Sequence, residues 1–370
     1  MKRWLLFFLF FLLQISYANE PDSLRILSLS DIHFNPFIYC SRLKKSCPLI
    51  DKLQKTDARH WAVILQKFAT EPQRKGVDMT YLLLISSLKQ AKNAAKSHQV
   101  SFILVLGDHL AHEYKRLFKH YSKDQSLLAY RHFVNQTFEF LFHQLSVTFP
   151  NTSIYIAVGN HDTYHRNYAS EPKGPFFEEI AHDAASLIPK NQRKDFIRQF
   201  QNAGYYSLSP HQKIRLLMLN SVLFSYKAKG EGVSQAAQNE LIWLRKQFDL
   251  AKLQNEKVII AMHIPPSYDF YLTSQIRVAT LFYFWHKEYI AQFNQLLQDF
   301  SHQVIAVIAG HQHTDQLKYM TFVDGSQIPI LATSSISPVF GNDPQFSVYT
   351  FSPPDYPLTG NVLYNQKLPE

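Results

Sequence analysis

Cysteine and glycine are the scarce residues here, and each scarcity excludes a class. Two cysteines in 370 residues rule out a disulfide-dense scaffold and any zinc site built on four cysteines. Eleven glycines rule out collagen-like or glycine-rich repeats and make the place of each informative. Beyond the amino-terminal segment no run approaches the roughly eighteen apolar residues of a membrane span. No internal repeat, low-complexity tract or long linker interrupts the chain, and no clustered basic patch interleaved with aromatics argues for nucleic acid as a specific partner. What remains is globular in composition: 46% hydrophobic and 18% charged, with 29 Phe, 20 Tyr and 4 Trp, enough to build a packed core.

The amino end reads as an export signal. Met1-Lys2-Arg3 is a short positive start, Trp4 to Leu13 is unbroken and apolar, and Ser16-Tyr17-Ala18 supplies small residues at the positions a signal peptidase reads. The expectation is a signal peptide over 1–18 in preference to a membrane anchor, with the mature protein secreted or periplasmic. Cleavage after Ala18 removes two of the 38 basic residues and none of the 29 acidic ones, leaving 36 against 29, or +7. That excess favours phosphate-bearing substrates or simply solubility. In an oxidising compartment Cys40 and Cys47 are expected to close a small disulfide loop, free thiols being the alternative.

Strand-like apolar runs recur, and each ends in polar residues. Leu24-Arg-Ile-Leu-Ser-Leu-Ser30 stops at Asp31, Phe102-Ile-Leu-Val-Leu106 at Gly107-Asp108, and Ile154-Tyr-Ile-Ala-Val158 at Gly159-Asn160-His161-Asp162. Lys257-Val-Ile-Ile-Ala-Met262 stops at His263, and Val304-Ile-Ala-Val-Ile308 is followed by Gly310-His311-Gln312-His313. Helical periodicity fills about 79–97, 125–146, 234–254 and 287–300. Shorter strands are expected near 315–323, 328–333 and 345–351. Continuous β-branched runs alternating with helices predict a layered α/β fold with buried strands. One domain is expected over 19–370, with its core at about 24–351 and a proline-bearing tail, 352–370, wrapped on the surface.

Binding residues in open α/β sheets collect past the carboxyl ends of strands. Here five strand ends carry Asp, Asn or His, in the order D-x-H, G-D, G-N-H-D, H and G-H-x-H. Each is weak alone: Asp108 suits a helix cap, Asn160 a turn, and His263 before two prolines a loop. Five such coincidences in a fixed order, expected along the edge of one sheet, point instead to divalent metal. Carboxylate oxygen, amide oxygen and neutral imidazole are the donors two hard or borderline cations need.

These strings resemble the calcineurin-like metallophosphoesterases, whose five motifs stand here as Ser30-Asp-Ile-His33, Gly107-Asp108, Gly159-Asn-His-Asp162, Met262-His263 and Gly310-His-Gln-His313. Asp31-Ile-His-Phe-Asn-Pro36, Gly107-Asp-His-Leu-Ala-His112, His263-Ile-Pro-Pro266 and Ser337-Pro-Val-Phe-Gly-Asn342 are similar to the acid sphingomyelinase-like phosphodiesterase branch. The resemblance implies a β-sandwich flanked by helices, with two divalent ions at the carboxyl ends of the strands. Asp31, His33, Asp108 and His313 would hold one ion, and Asp108, Asn160, His263 and His311 the other. Zinc is the expected metal, with manganese or iron as alternatives. The resemblance further implies metal-activated water as nucleophile, with His161 and then His112 as the groups that protonate the leaving oxygen. Asp162 would orient His161 or cap a helix, and His109 is read as a rim residue.

The sequence departs from acid sphingomyelinase itself. Only a few residues separate the expected cleavage site from Leu24, and two cysteines cannot supply a saposin-like lipid-extracting domain; the helical carboxyl-terminal extension also looks missing or shortened. The expected partner is therefore a small water-soluble phosphoester, nucleotide-type or headgroup-type, cleaved as a diester. The alternatives are an exported phosphomonoesterase or a catalytically silent protein that binds phospho-ligands. The aromatic run Ile276-Arg-Val-Ala-Thr-Leu-Phe-Tyr-Phe-Trp285 is expected as an amphipathic helix on the core, or less simply as a substrate-stacking wall.

Overall fold

The computed structural model describes residues 23–41, 45–69, 73–269, 273 and 281–368; the predicted signal peptide and residues 276–280 lie outside them. The strands are β1 (Leu24–Leu29), β2 (Phe102–Val105), β3 (Ile154–Ile156), β4 (Tyr206–His211), β5 (Ile214–Met218) and β6 (Lys257–Met262). They continue as β7 (Val304–Ala309), β8 (Gln316–Thr321), β9 (Gln327–Ala332), β10 (Gln345–Phe351) and β11 (Leu358–Asn365). The helices begin with α1 (Pro48–Gln54), α2 (Trp61–Phe68), α3 (Tyr81–His98), α4 (Tyr114–Tyr121) and α5 (Leu127–Thr148). After them come α6 (Pro175–Ala184), α7 (Arg193–Ala203), α8 (Val233–Leu253) and α9 (Lys287–Asp299).

Two sheets result, of order β11-β10-β1-β2-β3 and β4-β5-β6-β7-β9-β8. The chain crosses from the first to the second after β3 and returns for β10 and β11. Strands β1, β2 and β3 run parallel, as do β5, β6, β7 and β9. Their carboxyl ends therefore gather on one side of each sheet.

The unbroken apolar runs serve two cores. Along β6, Ile259 and Ala261 join the cluster that also holds Val348 and Tyr349 of the first sheet. The alternate residues Val258, Ile260 and Met262 pack with Leu241, Leu244 and Phe248 of α8 and Phe293 and Leu297 of α9. Both faces are covered, so neither can be polar. Helix α3 is capped by Thr80, whose hydroxyl accepts from the Leu83 N–H at 3.3 Å, and α5 by Ser126, which accepts from Ala129 at 3.2 Å.

One expectation is refined and two are corrected. The carboxyl-terminal stretch expected as a surface tail contains the edge strand β11, exposed or half-buried along its length and antiparallel to β10. The five ligand-bearing strands divide between two sheets and do not share one edge, because β3 and β6 lie in different layers. Residues 281–285 are not helical: Tyr283 and Trp285 make isolated bridges to Tyr268 and Ser225, and Trp285 Nε1 donates to the Ile264 carbonyl at 3.0 Å. Cys40 and Cys47 form the expected disulfide, with Cα atoms 5.7 Å apart.

Candidate metal centre

The loops after β1, β2, β3, β6 and β7 converge where the carboxyl ends of the two sheets meet. Main-chain bonds fix them to one another. His33 N–H donates to the Asp108 carbonyl at 2.8 Å, Gly310 N–H to His263 at 2.9 Å and Ser337 N–H to Asp31 at 3.2 Å. Five of the seven expected ligands sit in the left-handed region: Asp31 (φ 53°), His33 (45°), Asp108 (52°), His311 (70°) and His313 (56°). Side chains other than glycine seldom adopt it, and clustered cases mark functional sites. Glycine makes the close approaches possible. A Cβ on Gly159 would stand 2.1 Å from the Asp108 amide nitrogen, and one on Gly310 1.9 Å from Ser30 Oγ.

All seven predicted ligands are brought together. One group is Asp31, His33 and His313; the other is Asp108, His263 and His311. His313 Nε2 lies 3.2 Å and His33 Nε2 3.8 Å from Asp31 Oδ1. In the second group, His263 Nε2 is 3.3 Å from Asp108 Oδ2, 2.9 Å from Asn160 Oδ1 and 3.2 Å from His311 Nδ1. Asp108 Oδ2 also stands 3.6 Å from His33 Nε2, so this oxygen lies between the groups.

The donor set fits two cations. His33 Nδ1–H donates to the Leu110 carbonyl at 3.1 Å and His263 Nδ1–H to Leu106 at 2.7 Å, which leaves Nε2 of each ring aimed inward. Asp31 Oδ1 and His33 Nε2 are buried atoms without hydrogen-bond partners, an expensive arrangement unless something positive stands between them. Burial opposes ionisation of Asp31 and Asp108, yet His313 beside Asp31, and His263 beside Asp108, hold both carboxyls below the ordinary range. Burial pushes His311 down to about 3. It pushes His263 the same way, but the Asp108 carboxylate outweighs it and raises that ring to about 9.

His112 and His161 flank the ligands. The His112 ring stacks on His33 with centroids 4.2 Å apart and lies 4.5 Å from His161. Asp78, a residue the sequence pattern does not single out, accepts from His112 Nδ1–H at 2.8 Å and from its main-chain N–H at 3.1 Å. Burial lowers the affinity of His112 for a proton, but its bond to Asp78 outweighs this and the net shift is upward. Burial takes His161 downward.

Asp162 does not orient His161. Its carboxylate turns back to the preceding loop, accepting from His109 N–H at 2.7 Å, His109 Nδ1–H at 2.8 Å, Gly159 N–H at 2.9 Å and Leu110 N–H at 3.2 Å. Consequently His109 is a buried partner of Asp162 and not a rim residue. Two more residues escape sequence reasoning. Asn167 Oδ1 accepts from Asn160 Nδ2–H at 2.8 Å, turning Asn160 Oδ1 toward the metal pocket, and the Tyr168 hydroxyl lies 3.3 Å from His311 Nε2. A second asparagine seven residues after the first is the only local cue. Phe284 and Phe340 present ring edges to His311 and His313, with centroids 5.0 and 4.6 Å apart.

A carboxylate oxygen between two ligand groups is the geometry of a site for two cations, and the calcineurin-like phosphoesterase family model matches residues 24–315. The chain belongs to that family. It is 26% identical over 298 residues to Sphingomyelinase phosphodiesterase D of Dictyostelium discoideum, an alignment covering 79% of this chain and 61% of that protein. It is 24% identical over 298 residues to Cyclic GMP-AMP phosphodiesterase SMPDL3A of Bos taurus, covering 78% and 60%. The chain thus spans about three fifths of the length of these two curated relatives. Among solved structures, a dimetal phosphatase from Danio rerio superposes with a TM-score of 0.52 at 13% identity, covering 94% of this chain and 96% of that one; the likeness is one of fold.

Proposed function

We propose that this protein is an exported dinuclear-metal phosphodiesterase acting on small, water-soluble phosphoesters. The observation that carries the reading is the place of Asp108 Oδ2 between two complete ligand groups. Asp31, His33, Asp108 and His313 would hold one divalent cation and Asp108, Asn160, His263 and His311 a second, which would supply Lewis-acid activation of water and neutralisation of phosphoryl oxygens. Zinc suits the imidazole-rich set.

The protein's own groups do the rest. The main-chain bonds between loops hold the ligands before substrate arrives, so little reorganisation is left for the reaction. Water adds its oxygen to phosphorus while the ester P–O bond breaks, and a proton passes to the leaving oxygen. His112 and His161 stand beside the ligands for that transfer, His112 fixed by Asp78 and its raised proton affinity. Export is supported by the apolar stretch at 4–13, which lies outside the described residues, and by the Cys40–Cys47 disulfide. Among the described residues no helix is long and apolar enough to cross a membrane.

Hydrolysis of bis-(p-nitrophenyl) phosphate compared with p-nitrophenyl phosphate, by the metal-loaded protein, tests the reading. Faster diester cleavage is expected. Faster monoester cleavage makes the protein a phosphatase, and turnover of neither rejects the hydrolase assignment for these substrates.

A further inference from the structure

A cleft of about 630 Å³ opens beside the metal centre, between α4 and the 161–168 loop. Its inner wall is shared with the centre. His161, which lines the cleft, donates its main-chain N–H to Asp108 Oδ1 at 2.9 Å, and Asn167, also in the wall, fixes Asn160. The remainder is strongly basic, with Lys115, Arg116, Lys119 and Arg166 all facing it.

These charges are not balanced locally. Glu113 pairs with Arg116 at 3.1 Å, and Glu171 sits 3.2 Å from His165 on the rim. Among the described residues no carboxylate comes within ion-pair distance of Lys115, Lys119 or Arg166. Lys115 Nζ donates to the Tyr164 carbonyl at 3.3 Å and lies 5.3 Å from the centre of the Tyr130 ring. Burial, then the neighbouring cations Lys119, Arg166 and Arg131, lower its proton affinity. Lys115 and Lys119 are one helical turn apart, so they project from one face of α4 and repel one another. Like charges gathered in a concave site next to a reaction centre concentrate an anion there.

We propose that this cleft is a subsite for a second phosphoryl group, carried on the leaving-group side of the substrate. The proposal rests on the hydrolase reading above and adds a substrate class: phosphoesters whose leaving group is itself a phosphate or bears one. The cleft volume accommodates a nucleotide-sized group. His161 at its inner end places a leaving oxygen beside the ligands while the next phosphate meets Lys115, Lys119 and Arg166. An apolar lipid leaving group would strip water from Lys115, Lys119 and Arg166 and return nothing. The composition of the chain conceals this patch, because α4 and Arg166 are separated by some fifty residues of sequence.

Isothermal titration calorimetry on the full-length, metal-loaded protein tests the proposal without requiring turnover. Inorganic pyrophosphate, ADP and orthophosphate are the probes. Lys119→Gln/Arg166→Gln is expected to weaken pyrophosphate at least tenfold and orthophosphate less than threefold. Lys246→Gln/Lys252→Gln on α8, which removes the same net charge from exposed positions away from the cleft, is expected to leave pyrophosphate within twofold. Equal losses in the two double variants, or equal losses of pyrophosphate and orthophosphate in the first, overturn the subsite. ADP binding more tightly than pyrophosphate, with the same loss in the variant, assigns a nucleoside-bearing source; equal affinities assign an inorganic polyphosphate. If neither bis-(p-nitrophenyl) phosphate nor p-nitrophenyl phosphate is turned over while the pyrophosphate difference persists, the hydrolase reading fails for these substrates and the subsite stands as a binding site.

Discussion

Asp108 is the residue on which the two ligand groups depend. One oxygen accepts from His161 N–H and the other faces His33 and His263. Asp108→Asn keeps the shape and removes the charge, so we expect turnover to fall by about 10³-fold or more with the far-ultraviolet circular dichroism unchanged; retained turnover would show that the carboxylate does not bridge. Asp78→Asn acts one step away, by releasing His112. A loss of roughly 10- to 100-fold in kcat is expected, with His112→Asn no more active than the double variant. The seven residues of the candidate metal centre were legible because each lies within a few residues of a strand end, in a combination chance does not assemble. Asp78 and Asn167 were not, since each acts through a bond made only once distant loops have met. Asp162 illustrates the opposite error, where adjacency to His161 suggested a partner that the turn geometry gives to His109.

A titration at this scale belongs to Asp183 on α6. Burial, then the carboxylates Glu139 and Glu179, push Asp183 up to about 6. The folded protein therefore keeps a proton that the unfolded chain releases near pH 4. Stability contributed by this group falls as pH rises from about 4 to 6 and stays reduced above that. Asp183→Asn should raise the melting temperature at pH 7 and change it little at pH 4; an equal effect at both would contradict the assignment.

At the scale of elements, close packing of turns sets the site. Gly159→Ala drives a Cβ against the Asp108 main chain. We expect metal content to drop below one ion per chain while secondary structure persists, measured by elemental analysis and circular dichroism. The Cys40–Cys47 bridge holds the segment between the loop after β1 and α1, where Cys47 N–H donates to the Tyr121 carbonyl at 2.7 Å. Cys40→Ala/Cys47→Ala should cost about 2 kcal/mol of unfolding free energy. The long buried strands and the four named helices were readable from periodicity, since β6 and β7 are apolar on both faces and α3, α5, α8 and α9 carry one apolar stripe. β4, with two serines, a proline and a histidine in six residues, carries no such signal; pairing with β5 makes it a strand. β11 has no buried residue and is defined by its ladder to β10.

For the whole molecule, the centre lies between two sheets that fold from different parts of the chain. Metal bound at that junction would tie the layers together, and ligands that bind only the folded state stabilise it. Chelation should lower the melting temperature, and readdition of zinc should restore it. The layered class and the order of ligands could be read from the sequence. The division of the strands between sheets could not, because nothing local distinguishes a crossing between layers from a return within one. The basic cleft belongs to this scale as well, assembled from α4 and a loop beyond β3.

The most direct measurement is metal content per chain, by elemental mass spectrometry on protein reconstituted with zinc and freed of excess ion. Two ions per chain, falling below one in Asp108→Asn, is the predicted result. A single ion in the wild type, unchanged by that substitution, would contradict the dinuclear centre on which the functional account stands.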